Sequence, residues 1–388
     1  MARQRVFLHI GSPKTGTTYL QEVLWSNRDA LREAGVLYPG NRADAHFQAT
    51  LDIRELTWHG HKDLAAPGSW DRLVTEVRNW PGTSVISHEM LGSASPAAIK
   101  RAMQSLAGVE VHLVLTTRDL ARQVPAVWQE DVKNCGRLTY GEFTRSLRGL
   151  DDSIDPFFAR TFWSYQDLPV VLRNWAGDLP AERVHLITVP RGAARDELWL
   201  RFAKTVGFDP GVRSVEVDVR NPSMGLVETG VVRRLNELTV GKLGWPAYQR
   251  FVKNFLAVDV LATRPGSVPL RLPAEDQDWV AQKSKEMVQS LRESGYDVTG
   301  DLDDLLPASG GPEARHPDDV TDGEVLDAAI YAVAGLVHEL EAQRQRAEDE
   351  RARLAATLVP RPFRWAIDRY RDARVRLHDL TQSRPGAR

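Results

Sequence analysis

The feature that most constrains this chain is residues 5–25, Arg-Val-Phe-Leu-His-Ile-Gly-Ser-Pro-Lys-Thr-Gly-Thr-Thr-Tyr-Leu-Gln-Glu-Val-Leu-Trp. Val6, Phe7, Leu8 and Ile10 form an apolar run of strand length, and Leu20, Val23 and Leu24 recur at helical spacing. The pattern predicts a strand, a tight loop and a helix. Gly11 and Gly16 let the loop curl with little side-chain obstruction, so that successive backbone N–H groups face the positive end of a helix beginning near Thr17. Such a cradle holds an anion, most often a phosphate.

The position of the lysine narrows the reading. A nucleoside-triphosphate loop of the form G-x-x-x-x-G-K-[ST] puts its lysine directly after the second glycine, within reach of the β- and γ-phosphates. Here the register is Gly11-Ser12-Pro13-Lys14-Thr15-Gly16-Thr17-Thr18, with Thr17 in the lysine slot and the lysine in mid-loop. Lys14 would then approach a bound 5′-phosphate from the side, towards a bridging or leaving-group oxygen. The form Pro-Lys-Thr-Gly-Thr-Thr resembles the 5′-phosphosulfate loop of sulfotransferases that use 3′-phosphoadenosine 5′-phosphosulfate (PAPS). The resemblance implies a P-loop-type three-layer α/β fold, with a central parallel sheet flanked by helices. It implies PAPS as co-substrate, held by Pro13, Lys14, Thr15, Gly16, Thr17 and Thr18. A diverged nucleotide kinase and a plain strand-to-helix turn are the competing readings of the same loop.

Two further strands end in ionisable residues. Val85-Ile86-Ser87-His88-Glu89-Met90 reads as a buried strand, and in a parallel sheet ligands gather beyond the carboxyl ends of the strands. His88 and Glu89 are therefore base candidates for an attacking hydroxyl, which must lose its proton in or near the transition state. The resemblance implies Glu or His near this place; Glu89 is preferred, His88 second, and a capping or ion-pair role for both stays open. Val111 to Thr117 is the clearest strand, and Arg118 at its end is suited to pair with a second phosphate. This resembles the family's 3′-phosphate motif, an Arg followed eight residues later by Ser. Here that eighth position is Ala126, and Arg122, one turn along, is the nearest substitute.

With 388 residues, of which 42% are hydrophobic, the chain can bury a large α/β core, and its net charge of -2 argues against a nucleic-acid protein held by general positive charge. The one cysteine, Cys135, excludes an internal disulfide framework and a zinc-type cluster. With Met-Ala-Arg-Gln-Arg running straight into the first strand and no apolar stretch of about 18 residues, the expectation is a cytoplasmic protein. His46, His59 and His61 match no standard ligand spacing, so no metal is expected; His46 could instead face substrate.

The rest of the pattern predicts helices over 17–34, 43–56, 69–79, 168–175 and 196–206, with Arg183 to Val189 as the last strand of the sheet. Residues 136–166 carry few regular signals but many rings: Tyr140, Phe143, Phe157, Phe158, Phe162, Trp163 and Tyr165. They suit either an acceptor-binding lid or core packing under a long connection. Residues 220–308 read as largely helical. Within them Lys242, Arg250 and Lys253, with Arg220-Asn221-Pro222-Ser223, suit either a solvated face or a basic loop over the nucleotide. The predicted organisation is a domain over 1–308, a linker over 309–320 centred on Ser309-Gly310-Gly311-Pro312, and a charged helical extension over 321–388. In that extension Leu326, Ile330, Val333, Val337 and Leu340 share one helix face, which could dock on the domain or form a homodimer. The arginine-rich end, 361–388, could touch an anionic membrane surface. A hydroxyl-bearing carbohydrate, glycolipid or small metabolite is the acceptor these features favour. A kinase for small molecules and a non-catalytic nucleotide-binding scaffold are the alternatives.

Overall fold

The computed structural model describes residues 4–358, apart from 193, 195, 214, 216, 218–222 and 309–313, together with residue 369. Strands Arg5–His9 (β1), Val36–Leu37 (β2), Thr83–Ser87 (β3), Glu110–Thr117 (β4), Val184–Thr188 (β5) and Asp297–Thr299 (β6) form one sheet in the order β2-β3-β1-β4-β5-β6. Each pairing is parallel, and Phe7 of β1 lies between Val85 of β3 and His112 of β4. Parallel strands need crossovers, which the intervening helices supply.

Phe7, Val85, Val114 and Ile187 share a cluster with Leu20, Val23 and Leu24 of helix Thr17–Ser26 and with Trp199, Phe202 and Val206 of helix Glu197–Val206. Val6 and Leu8 alternate with Phe7 to the opposite face and are also fully buried. The sheet is therefore covered on both sides, in three layers, which is why its strands read as continuous apolar runs rather than alternating ones. Trp70, Trp128 and Trp175 are buried with their indole N–H groups satisfied by Ser105 Oγ and by the carbonyls of Leu138 and Leu91 respectively.

Three local expectations need correction. The helix expected over 17–34 is two helices, Thr17–Ser26 and Arg28–Glu33. Asn27 breaks it, with its side chain bonded to the Val23 carbonyl and to the backbone N–H of Val215. Residues 136–166 contain helices Tyr140–Leu147 and Phe157–Gln166. The first is announced by a capping box, Thr139-Tyr140-Gly141-Glu142, and its buried Tyr140, Phe143 and Leu147 fall at helical spacing. Finally, β5 is not the last strand, because β6 pairs with it. Three residues, Asp297-Val298-Thr299, are too short to announce a strand by pattern.

The chain divides into a larger compact unit that ends at Ala328 and a smaller one from Ala329. The described part of the smaller unit is residues 329–358 of the long helix Asp322–Leu358, together with residue 369. There Ile330, Val333, Val337 and Leu340 are exposed at helical spacing, followed by Arg344 paired with Glu341 and Glu348. The linker centre 309–313 and, apart from residue 369, the tail beyond 358 lie outside the described residues. Among the described residues no helix is long and apolar enough to cross a membrane.

Candidate active site at the carboxyl edge of the sheet

The sheet order reverses at β1, so the loop after β1 opens beside the carboxyl ends of β3 and β4, the position where open α/β sheets bind ligands. The loop is tied to β4 by Ser12 N–H to Thr116 O and Thr116 N–H to Gly11 O, and by a bond between the Thr15 and Thr116 hydroxyls; within the loop Thr15 Oγ1 also donates to the Ser12 carbonyl. Gln123 from the following helix donates to the Pro13 carbonyl. Helix Thr17–Ser26 starts after Gly16, at φ 93°, with no side-chain cap on its N-terminus. Its first N–H groups are thus left to a ligand or water.

Gly16 has a second constraint. A Cβ there would lie 2.5 Å from Leu198 Cδ2, on a backbone conformation that L-residues rarely adopt. Gly16→Ala is expected to lower unfolding free energy by about 1–3 kcal/mol, through strain and displacement of Leu198. Urea denaturation checks this, and an unchanged midpoint would count against the packing described.

A cavity of about 1170 Å³ opens over this loop, and its walls include Pro13, Lys14, Thr15, Gly16, Thr17 and Thr18. Every other predicted site residue except His46 lines it as well: His88, Glu89, Arg118 and Arg122, with Ala126 among them. The volume exceeds the ~300–1,000 Å³ typical of a pocket for one small ligand.

Lys14 is held in the left-handed region, at φ 66°, and its Nζ donates to Glu130 Oε2 at 2.5 Å. Burial pushes the Lys14 ammonium down from its ordinary value, and Glu130 opposes that shift. Glu130 also pairs with Lys133 (3.0 Å) and Lys253 (3.2 Å), and Asn134 donates to its Oε1 at 2.9 Å. Burial works against the Glu130 carboxylate, but the three ammonium groups, led by Lys14, hold it far below the usual carboxylate range. Next to it, burial and Glu130 push Asp131 up to about 6.

The base candidates separate by hydrogen bonding. His46 donates through Nε2 to the Pro39 carbonyl and accepts the Ser87 N–H at Nδ1, so both ring nitrogens are engaged; burial pushes it down to about 4. It is not placed to take a substrate proton. His88 accepts the Met90 N–H at Nδ1, which puts the proton of its neutral ring on Nε2 and uses its acceptor nitrogen as a cap. Burial lowers His88 further. Glu89 receives a bond from Gln21 Nε2 at 2.8 Å. Burial pushes Glu89 up, but the adjacent His88, its own backbone N–H and Gln21 outweigh it and hold the carboxyl below its ordinary value. Of the three, Glu89 is the one suited to accept a proton.

Arg118 bonds through Nε to Gln123 Oε1 and through Nη2 to the Arg122 carbonyl; burial lowers it to about 10, so it is cationic at neutral pH. Arg122 is more heavily engaged. Its guanidinium pairs with Asp119 at 2.5 Å and donates to the Val189 and Pro190 carbonyls, which ties the end of β4 to the end of β5.

The ring-rich segment divides between its two readings. Phe143, Phe157, Phe158, Phe162 and Tyr165 line the cavity, while Tyr140 is fully buried and Trp163 donates to the Leu147 carbonyl. Phe47, Trp58 and His59 complete the aromatic wall; His59 stacks on Trp245 at 3.4 Å between ring centres. His46, His59 and His61 do not converge, and no group of three or more metal-ligating side chains occurs among the described residues. Of the cations left open between 242 and 253, Lys253 faces the cavity, whereas Lys242 and Arg250 are exposed.

Sequence reading missed Glu130 and gave Lys133 no role. The signal was available: Arg122, Ala126, Gln129, Glu130 and Lys133 recur at helical spacing on helix Leu120–Lys133, and all line the cavity.

No family model matches this chain, and no curated protein matches it. Among solved structures it is similar to one described as "Crystal Structure of Sulfotransferase from Alicyclobacillus acidocaldarius", at 16% identity and a TM-score of 0.36, over 64% of this chain and 100% of that one. A likeness that distant carries no weight for the chemistry of this cavity.

Proposed function

We propose that the chain transfers a sulfuryl group from PAPS to the hydroxyl of a carbohydrate, glycolipid or small metabolite. The observation that carries this reading is the convergence in one cavity of a mid-loop lysine, a strand-end carboxylate and a strand-end arginine: Lys14, Glu89 and Arg118. Lys14 departs from the triphosphate-loop position, which Thr17 occupies.

In the proposed reaction the uncapped helix start and Thr17 and Thr18 hold the 5′-phosphosulfate, and Arg118 holds the 3′-phosphate. The acceptor oxygen attacks sulfur as its proton passes to Glu89. The bond from sulfur to the bridging oxygen breaks, and its electron pair stays on the departing 5′-phosphate. Lys14 meets the negative charge that grows there, an interaction stronger in the transition state than in the ground state. The products are a sulfate ester and adenosine 3′,5′-bisphosphate.

Calorimetric titration with that bisphosphate, beside ATP with magnesium, tests the reading. Tight metal-free binding of the bisphosphate is expected, weakened in Arg118→Ala by about 10- to 100-fold for the loss of a charge-assisted contact. A preference for ATP with magnesium would instead indicate a kinase, and absence of both would indicate a scaffold.

A further inference from the structure

Lys133 and Lys253 lie on the cavity wall beyond the loop lysine. The Lys133 ammonium is nearly fully buried, with 5% side-chain exposure, and Glu130 is the one acceptor found for its three N–H groups among the described residues. Lys253 bonds Asn134 Oδ1 at 2.7 Å and Glu130 at 3.2 Å, and its ammonium lies 6.0 Å from the Trp245 ring centre. It projects from the π-helical stretch Gln249–Val260. Such stretches are rare and frequently found at functional sites. Lys14, Lys133 and Lys253 thus all pair with the single carboxylate of Glu130. A buried ammonium with unfilled donors is costly unless something completes its shell.

We infer that Lys133 and Lys253 form an anion subsite for the acceptor, so that the molecule sulfated carries a sulfate, phosphate ester or carboxylate beside its reactive hydroxyl. This rests on the sulfuryl-transfer reading above. Lys253 sits beside Trp245, on which His59 stacks and against which Trp58 packs edge-on, so rings flank the acceptor while the lysines fix its charged end. Lys133 and Lys253 would then select among acceptors without taking part in the proton transfer.

The test titrates inorganic phosphate into the full chain saturated with adenosine 3′,5′-bisphosphate. Wild type is expected to bind phosphate, and Lys253→Gln to bind it about tenfold more weakly, with bisphosphate affinity changed less than twofold. Lys133→Gln gives a second reading from the buried side, with thermal unfolding as a check on folding. Three results would overturn the inference: no phosphate binding to the nucleotide-saturated protein; equal weakening of phosphate and bisphosphate by Lys253→Gln, which assigns the lysines to the donor; or phosphate binding lost in Lys14→Ala but intact in Lys253→Gln, which assigns it to the transferred-group position. If the bisphosphate itself fails to bind, the sulfuryl-transfer reading falls. Phosphate titrated into the nucleotide-free protein and into Lys253→Gln then reads the lysine pair alone.

Discussion

Lys14→Ala is expected to lower turnover with PAPS by on the order of 10²- to 10³-fold, the cost of removing one preorganised charge from a developing oxyanion. The loss should fall mainly on kcat. In the ground state Lys14 already has a partner, Glu130 at 2.5 Å, so little donor affinity depends on it. As charge grows on the departing phosphate, that oxygen competes better for the ammonium, and only then does Lys14 contribute strongly. Single-turnover measurements with saturating donor separate the two effects. Turnover unchanged in Lys14→Ala would remove the central assignment of the proposed mechanism. A loss confined to donor binding would make Lys14 an ordinary phosphate contact.

Glu89→Gln is expected to cost on the order of 10²- to 10⁴-fold in kcat, the range for removal of a general base, while bisphosphate affinity stays within about twofold. The sign of the pH dependence follows from the environment. A base works only when deprotonated, and Glu89 is held below its ordinary value of 4.5, so the acid limb of the wild-type profile should lie below that pH. That limb should disappear in Glu89→Gln. The control is His88→Asn, whose side-chain oxygen can still accept the Met90 N–H and so preserve the cap. It should keep most of its activity. If His88→Asn loses as much as Glu89→Gln, with folding intact, the imidazole and not the carboxylate carries the proton.

What was legible in the chain was short in range. The strand–loop–helix at the start could be read because everything that makes it is local: an apolar strand, two glycines at fixed spacing and a helix start, within about twenty residues. The ends of β3 and β4 were legible for a similar reason, since a buried run that stops at His88-Glu89 or at Arg118 marks a strand end, and parallel strands bring such ends to one rim. The corrections have causes that lie further off. Asn27 breaks a helix by a bond that reaches Val215, and β6 exists because β5 offers it an edge.

Charge partners were not legible. Lys14, Glu130, Lys133 and Lys253 come from a loop, one helix and a stretch more than a hundred residues further on, and no pattern in the chain states that they meet. The choice among His46, His88 and Glu89 was likewise open in sequence, because each residue type can serve as a base. It was narrowed by which ring nitrogens the backbone of β3 and its exit turn already occupy. The sequence by itself determined the strand–loop–helix, the displaced lysine and the strand ends that make a parallel α/β sheet, because these depend on local steric and hydrophobic patterning. Only the tertiary structure decided which ionisable groups share a cavity and in what state each is held, because burial and hydrogen-bond partnership are properties of contacts between distant parts of the chain.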